Sequence, residues 1–240
     1  MRKSIAAVIA GSAAVAGCHG HHEDGGATVS RNYSVGNFQQ IEVAGPYDVE
    51  VRTGGNASVS AQGPERVLDR TDVAVEGNKL VIRSHHEGGW FHFGFSSRGH
   101  VHFVVTVPQL TAASLLGSGD VRIDKVLGQG FDGSITGSGG LSLGAVEVQA
   151  LKLSIAGSGG VKAGTGKVQS AEYQISGSGD VDAGAVDSPA IKASIAGSGD
   201  IRAHGSGTAD VSIMGSGDVY VTGGAKCNVS KAGSGDAHCS

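Results

Sequence analysis

The chain has 240 residues, 42 of them glycine, with 5% aromatic, 17% charged and 39% hydrophobic residues and a formal net charge of −4. Four prolines without a Gly-X-Y period exclude collagen. The apolar content and the small net charge exclude a disordered chain. An isoelectric point near 6.2 gives no reason to expect nucleic acid as a partner.

The N-terminus reads as an address. Met1-Arg2-Lys3 is a basic start, and Ser4 to Ala16 is a run of small apolar residues too short to span a bilayer as a helix. Such an order describes an export signal, here residues 1–17. The closing Val15-Ala16-Gly17-Cys18 resembles a bacterial lipobox, with Val in place of the commoner Leu. The resemblance implies cleavage before Cys18 and a lipid on that cysteine. His19, in the place where Asp would imply inner-membrane retention, leans toward the outer membrane by the same resemblance. Residues 18–37 are polar and unpatterned and read as the lipidated cysteine and a flexible tether.

From residue 38 the pattern is that of strands. Ile41 to Val51 alternates around a Gly45-Pro46 corner, and strands fit residues 57–62, 79–84 and 101–107, with a tight turn at Gly77-Asn78. Residues 88–99 break the pattern. Trp90, Phe91, Phe93 and Phe95, with Arg98, carry the only tryptophan and three of the six phenylalanines. Such an insert suits a protruding partner-binding hairpin. Alternatively, it folds over the open end of the core as the cap that a solenoid needs. Residues 38–110 are thus expected to be irregular coils and 111–240 regular repeats.

The regular part is set by Gly-Ser-Gly at residues 117, 137, 157, 177, 197, 215 and 233, at steps of 20 and then 18 residues. A period near 20 means stacked coils. Leu115, Ile135, Ile155, Ile175, Ile195 and Ile213 precede the corners, and Val121, Leu141, Val161, Val181, Ile201 and Val219 follow them. Both sets alternate with polar residues, mostly serine before the corner. A third short strand is expected through Val126, Val146, Val168 and Val186. The predicted fold is all-β: a parallel β-helix with coils of 18–20 residues and Gly-Ser-Gly corners, right-handed by analogy with parallel crossovers. Asp132, Lys152, Glu172, Lys192 and Asp210 share one position and alternate in sign, as paired charges on stacked strands would.

Phe38-Gln39-Gln40-Ile41-Glu42-Val43-Ala44-Gly45, Val105-Thr106-Val107-Pro108-Gln109-Leu110 and the Gly-Ser-Gly-Asp repeats together resemble the auto-transporter adhesin, head GIN domain family across roughly residues 35–240. The resemblance implies a β-helical cell-envelope protein, and it supplies no catalytic residue.

Enzyme-like motifs fail on context. Gly128-Gln129-Gly130-Phe131-Asp132-Gly133 matches a dinucleotide fingerprint but leads into a strand instead of a helix. Gly140-Leu141-Ser142-Leu143-Gly144 matches a nucleophile elbow but places Ser142 mid-strand. The corner serines, Ser118 to Ser234, have no recurring base beside them and are expected to form a hydroxyl ladder satisfying corner backbone groups. Asp180, Asp200, Asp218 and Asp236 also form a column. Asx-type caps on the corners are the preferred reading and a weak Ca²⁺ column the sharper one. Histidines gather at 19, 21 and 22 and again at 85, 86, 92, 100 and 102, without the fixed geometry that a metal site needs. With Cys18 lipidated, Cys227 and Cys239 remain. In the repeat register both point inward, so a disulfide is expected in the last coil.

The sequence therefore reads as an exported, lipid-anchored envelope protein without enzymatic activity or resident cofactor. Its expected role is a structural or adhesin-like scaffold for an envelope protein or polysaccharide. The alternative is a polysaccharide-binding or pectinase-like β-helix protein.

Overall fold

Alternation at a fixed period makes each coil a template for the next: inward side chains stack on inward side chains, and the backbone of one coil completes the hydrogen bonds of its neighbour. The computed structural model describes residues 27–85 and 100–240, and these form a β-solenoid. In chain order the elements are β1 (Thr28–Tyr33), β2 (Gln40–Ala44), β3 (Tyr47–Thr53), β4 (Ser58–Pro64), a helical turn α1 (Glu65–Leu68), β5 (Thr71–Glu76), β6 (Lys79–Ser84), β7 (Val101–Val107) and β8 (Ala112–Gly117). Then come β9 (Asp120–Gly137), β10 (Gly140–Gly157) and β11 (Gly160–Gly177), each a coil long. The remainder is β12 (Asp180–Asp187), β13 (Ala190–Gly197), β14 (Ile201–His204), β15 (Thr208–Gly215), β16 (Val219–Thr222), β17 (Lys226–Gly233) and β18 (Ala237–Cys239).

Two walls meet at the glycine corner. In the wall leading into it, the ends of β9, β10 and β11 continue into β13, β15 and β17. In the wall leaving it, their beginnings continue into β12, β14, β16 and β18. All these pairings are parallel. Gly140 stands opposite Gly160, and Ile191 stands opposite Ala209 where the step shortens. The columns predicted before and after the corner are buried as expected: Leu115, Ile135, Ile155, Ile175, Ile195 and Ile213 are at most 3% exposed. Each such burial contributes about 1.5–3 kcal/mol.

The corner requires glycine. Gly157 has φ +133°, and a Cβ there would lie 2.2 Å from the carbonyl oxygen of Gly137 in the coil below. At Gly199 the corresponding approach, to Gly179, is 1.8 Å. Neither approach leaves room for a side chain.

The first half departs from the expected succession of coils. β2 lies between β6 and β8, and β3 lies between β7 and β9. The chain thus enters at the second layer, builds the first layer with β6 and β7, and crosses back over β2–β3 to continue with β8. Beyond the first layer β4 and β5 pair antiparallel with β7 and β6, and β1 pairs antiparallel with β4. α1 links β4 to β5 with Leu68 buried. Tyr47 packs edge-on against Phe103, and its hydroxyl meets Thr71 Oγ1 at 3.1 Å. These elements close the end of the core.

Two expectations are corrected here. Thr28–Tyr33 belongs to an edge strand and not to the tether, because Val29 and Tyr33, at alternate positions, pack against the core. In the third strand Val146 aligns with Gly166 and Val186, whereas Val168 aligns with Val148. Gly166 leaves the first of these positions without a side chain, and Val168 fills the core from the next inward position.

One core column runs Gly133, Leu153, Tyr173, Ala193, Val211. Small residues on either side make room for the large pair in the middle. Tyr173 is fully buried, and its hydroxyl has no hydrogen-bond partner among the described residues. Burial raises this phenol above its ordinary value of 10.0. The folded chain therefore holds Tyr173 neutral where the unfolded chain ionises it. The resulting stabilisation is complete below pH 10 and is lost as the pH rises beyond it. Tyr173→Phe removes a hydroxyl whose burial without a partner costs about 1–3 kcal/mol. The variant is expected to melt no lower than the parent at pH 7 and to lose less stability between pH 9 and pH 11, as measured by thermal unfolding across that range.

Candidate interaction surface

Because the coils stack in register, every outward position becomes a column. The corner column consists of exposed serines. Its ladder is made by amides and not by the expected hydroxyls: Ser158 N–H donates to Gly137 O and Ser178 N–H to Gly157 O, both at 2.9 Å. The close approach of the glycines satisfies the corner backbone directly, which leaves the serine side chains facing outward.

The aspartate column acts as a chain of caps. Asp180 Oδ1 accepts the backbone N–H of Asp200 at 2.9 Å, Asp200 Oδ1 that of Asp218 at 3.0 Å, and Asp218 Oδ1 that of Asp236 at 2.8 Å. Each carboxylate is thus committed to the next coil. Among the described residues no group of three or more His, Cys, Asp and Glu side chains is arranged to hold a metal ion. His85, His100 and His102 lie instead beside Asp72, Asp48 and Glu50 at 3.1, 3.9 and 3.8 Å. Residues 128–133 lie within β9, and Ser142 lies mid-strand in β10, so neither enzyme-like motif leads into a helix.

The serines before the corner line the outer face of the entering wall: Ser114, Ser134, Ser154, then Gln174, Ser194, Ser212 and Ser230. Ser114 and Ser134 share a hydrogen bond of 2.9 Å. Beside them run Gln40, Ala112, Asp132, Lys152, Glu172, Lys192 and Asp210, in successive layers. Of the alternating charges, Lys192 and Glu172 pair at 3.6 Å, while among the described residues Asp132 and Lys152 form no ion pair. Ala112 interrupts the longer side chains. With Ser114, Ser134 and Ser154 it forms the floor of an open depression of about 570 Å³, bordered by Gln40, Lys152 and Gln174. Sequence reasoning missed this feature. Gln40 and Ala112 are neighbours only because β2 pairs with β8, a contact that no local pattern signals.

At the far end, Cys227 and Cys239 are joined by a disulfide that ties β17 to β18, with Cα atoms 6.6 Å apart. Lys231 stands where Ile213 stands one coil earlier and hydrogen-bonds Asp236 across the mouth of the core. That hydrogen bond, with the ammonium charge behind it, holds the Asp236 carboxyl below the usual carboxylate range. Val229, in an inward register position, is 47% exposed because no coil covers it.

Cys18, Trp90, Phe91, Phe93, Phe95 and Arg98 lie outside the described residues. Among the described residues β6 ends at Ser84 and β7 begins at Val101, in the layer next to the one that turns through Gly45-Pro46. Among the described residues no helix is long and apolar enough to cross a membrane.

The described residues thus form a β-solenoid whose outward residues run in columns along the stack. The sequence matches, over residues 37–225, the family described as "Putative auto-transporter adhesin, head GIN domain", and the chain belongs to that family. Among solved structures it is similar to a putative adhesin from Bacteroides fragilis, with 25% identity and a TM-score of 0.80 over 89% of this chain and 97% of the other. A putative adhesin from Parabacteroides distasonis has the same fold at 18% identity, with a TM-score of 0.71 over 90% and 98% of the two chains. So does a protein from the same organism described as a putative lipid binding protein, at 22% identity and a TM-score of 0.69 over 89% and 96%. No curated protein matches the sequence.

The disulfide yields a direct test. Labelling of unfolded, non-reduced protein should find neither Cys227 nor Cys239 reactive. For a loop near this size a disulfide contributes about 3 kcal/mol. Replacing both cysteines with serine should therefore weaken protection of the last coil, read as faster amide hydrogen exchange in β15 to β18 while β9 to β11 stay protected.

Proposed function

We propose that this chain is an exported, lipid-anchored, non-enzymatic scaffold of the cell envelope that works as an adhesin. In this reading residues 1–17 are removed, Cys18 carries the lipid at the outer membrane, a short spacer precedes β1, and the solenoid presents its outer columns to a partner. The observation that carries the reading is the repetition itself. Successive coils repeat the same strands and corner in register, so outward residues form columns along an extended surface. An enzyme needs unlike groups converging on one point. The family and the similarity to the B. fragilis protein support the same conclusion.

The aromatic insert is the second contact surface in this proposal. The serine-lined columns of the outer face are small and polar, whereas binding energy concentrates in Trp, Tyr and Arg. Trp90 and Arg98 belong to residues 88–99, and α1, β4 and β5 already close the first-layer end of the core.

Two experiments test these assignments. Cys18→Ser should move the protein from the membrane fraction to the soluble fraction, and unchanged membrane retention would refute the anchor. Trp90→Ala with Phe93→Ala should leave the melting temperature unchanged while reducing binding to intact envelopes. A large fall in melting temperature would instead make the insert part of the cap.

A further inference from the structure

We propose that the depression on the serine-lined wall is a binding site for an uncharged polysaccharide chain, lying along the stack and crossing several coils. This rests on the adhesive reading above and gives it a partner chemistry.

Beside the hydrogen-bonded pair Ser114 and Ser134, the site holds polar groups that the fold leaves unused. Among the described residues Ser154 makes no side-chain hydrogen bond, and Asp132 and Lys152 stand one layer apart with opposite charges and do not pair. A serine hydroxyl donates and accepts, a carboxylate only accepts, and an ammonium only donates. Together these groups satisfy sugar hydroxyls in either sense. The layers repeat at about 4.8 Å, the spacing of neighbouring strands. The groups therefore form a row with one set per layer, suited to a ligand that is itself a repeat of hydroxyl-bearing units. Ala112 matters because it is small: a longer side chain in that layer would fill the depression between Gln40 and Asp132.

Charge selects the kind of chain. Asp132, Lys152, Glu172, Lys192 and Asp210 alternate along the wall, so no stretch carries a field of one sign. A polyanion such as nucleic acid or an acidic polysaccharide meets a carboxylate in every second layer. Among the described residues a protein partner finds no aromatic anchor beside the depression, and the wall's Arg83 is already paired with Asp72 and Glu76. A neutral, polyhydroxylated chain meets neither obstacle. Each hydrogen bond on an open face contributes little, so recognition requires a ligand long enough to engage several layers at once.

The test titrates the purified exported protein with cellohexaose, laminarihexaose and chitohexaose as neutral probes and an oligogalacturonate as the acidic one. At least one neutral probe should bind. Ser134→Val with Ser154→Val, a pair that keeps strand propensity and removes the hydroxyls, should weaken that binding by about tenfold or more. Ser212→Val, in the same column but outside the depression, should leave it unchanged. Circular dichroism and melting curves of each variant establish that the fold is retained. Failure of every neutral probe, preference for the oligogalacturonate, or indifference to the Ser134 and Ser154 changes would overturn the inference. If the protein still binds intact envelopes in such a case, the adhesive reading stands without it. If it binds neither probes nor envelopes, both fall.

Discussion

The contact on which this molecule depends is the approach of one glycine corner to the next. Where Gly157 passes over Gly137, and Gly199 over Gly179, the backbones leave no volume for a Cβ. Amide-to-carbonyl hydrogen bonds run between the corners at 2.9 Å. Coil height is thereby locked to the strand spacing of about 4.8 Å. Register is locked with it, since a slip of one residue would turn every inward column outward. The change of step from 20 to 18 residues does not disturb this, because Gly197 still meets Gly215. The loss is taken up away from the corner, between β14 and β15, where the register against β12 shifts between Ala183 and Asp187 and Ala190 then stands opposite Thr208.

Strict register has a consequence on the outside. A column of identical residues can only be tolerated if its members are compatible at strand spacing, and the polar columns meet this in three ways. Asp180, Asp200 and Asp218 each accept the next coil's N–H and Asp236 accepts from Lys231, so like charges one layer apart are each held by a donor. The charged column alternates in sign. The serine columns carry no charge and need no remedy. Hydrogen bonds formed by such groups with a ligand net about 0.5–1.5 kcal/mol each. One coil therefore binds nothing tightly, and affinity must come from repetition along the stack and from many copies on a surface.

What could be read from the sequence follows the same division. Gly-Ser-Gly at constant spacing is a local signal that repeats, so the coil, the inward columns, the inward pair Cys227 and Cys239, and the sign alternation from Asp132 to Asp210 could all be placed by counting. Where glycine removes a side chain the counting fails. Gly166 vacates the position of Val146, and Val168 was aligned to the wrong column. The out-of-order first layers were also hidden. β2 and β8 are adjacent in the stack but 72 residues apart at Gln40 and Ala112, and nothing in either strand marks the other as its neighbour. The depression on the serine wall depends on that pairing, so it too was invisible. β1 was lost for a simpler reason: Val29 and Tyr33 alternate with polar residues in a stretch whose composition resembles a linker.

A stack of this kind must also stop, because each exposed end offers unpaired strand edges and an open core. The two ends are closed by different means. At the first layer the chain reverses: β4 and β5 run antiparallel to the coil beneath them, and α1 lays Leu68 on the core. Antiparallel strands cannot continue a parallel coil, so this end terminates by topology. At the last layer the strands remain parallel, and termination falls to side chains. Lys231 replaces the isoleucine of the column, and its ammonium must stay near water and Asp236, so another apolar coil laid on top would have to bury that charge. With no coil above to hold β17 against β18, the Cys227–Cys239 bond supplies covalently what stacking supplies everywhere else. The lysine in the isoleucine's register position and the disulfide therefore act together on the last described coil: the first opposes an apolar layer against it, and the second holds β17 to β18.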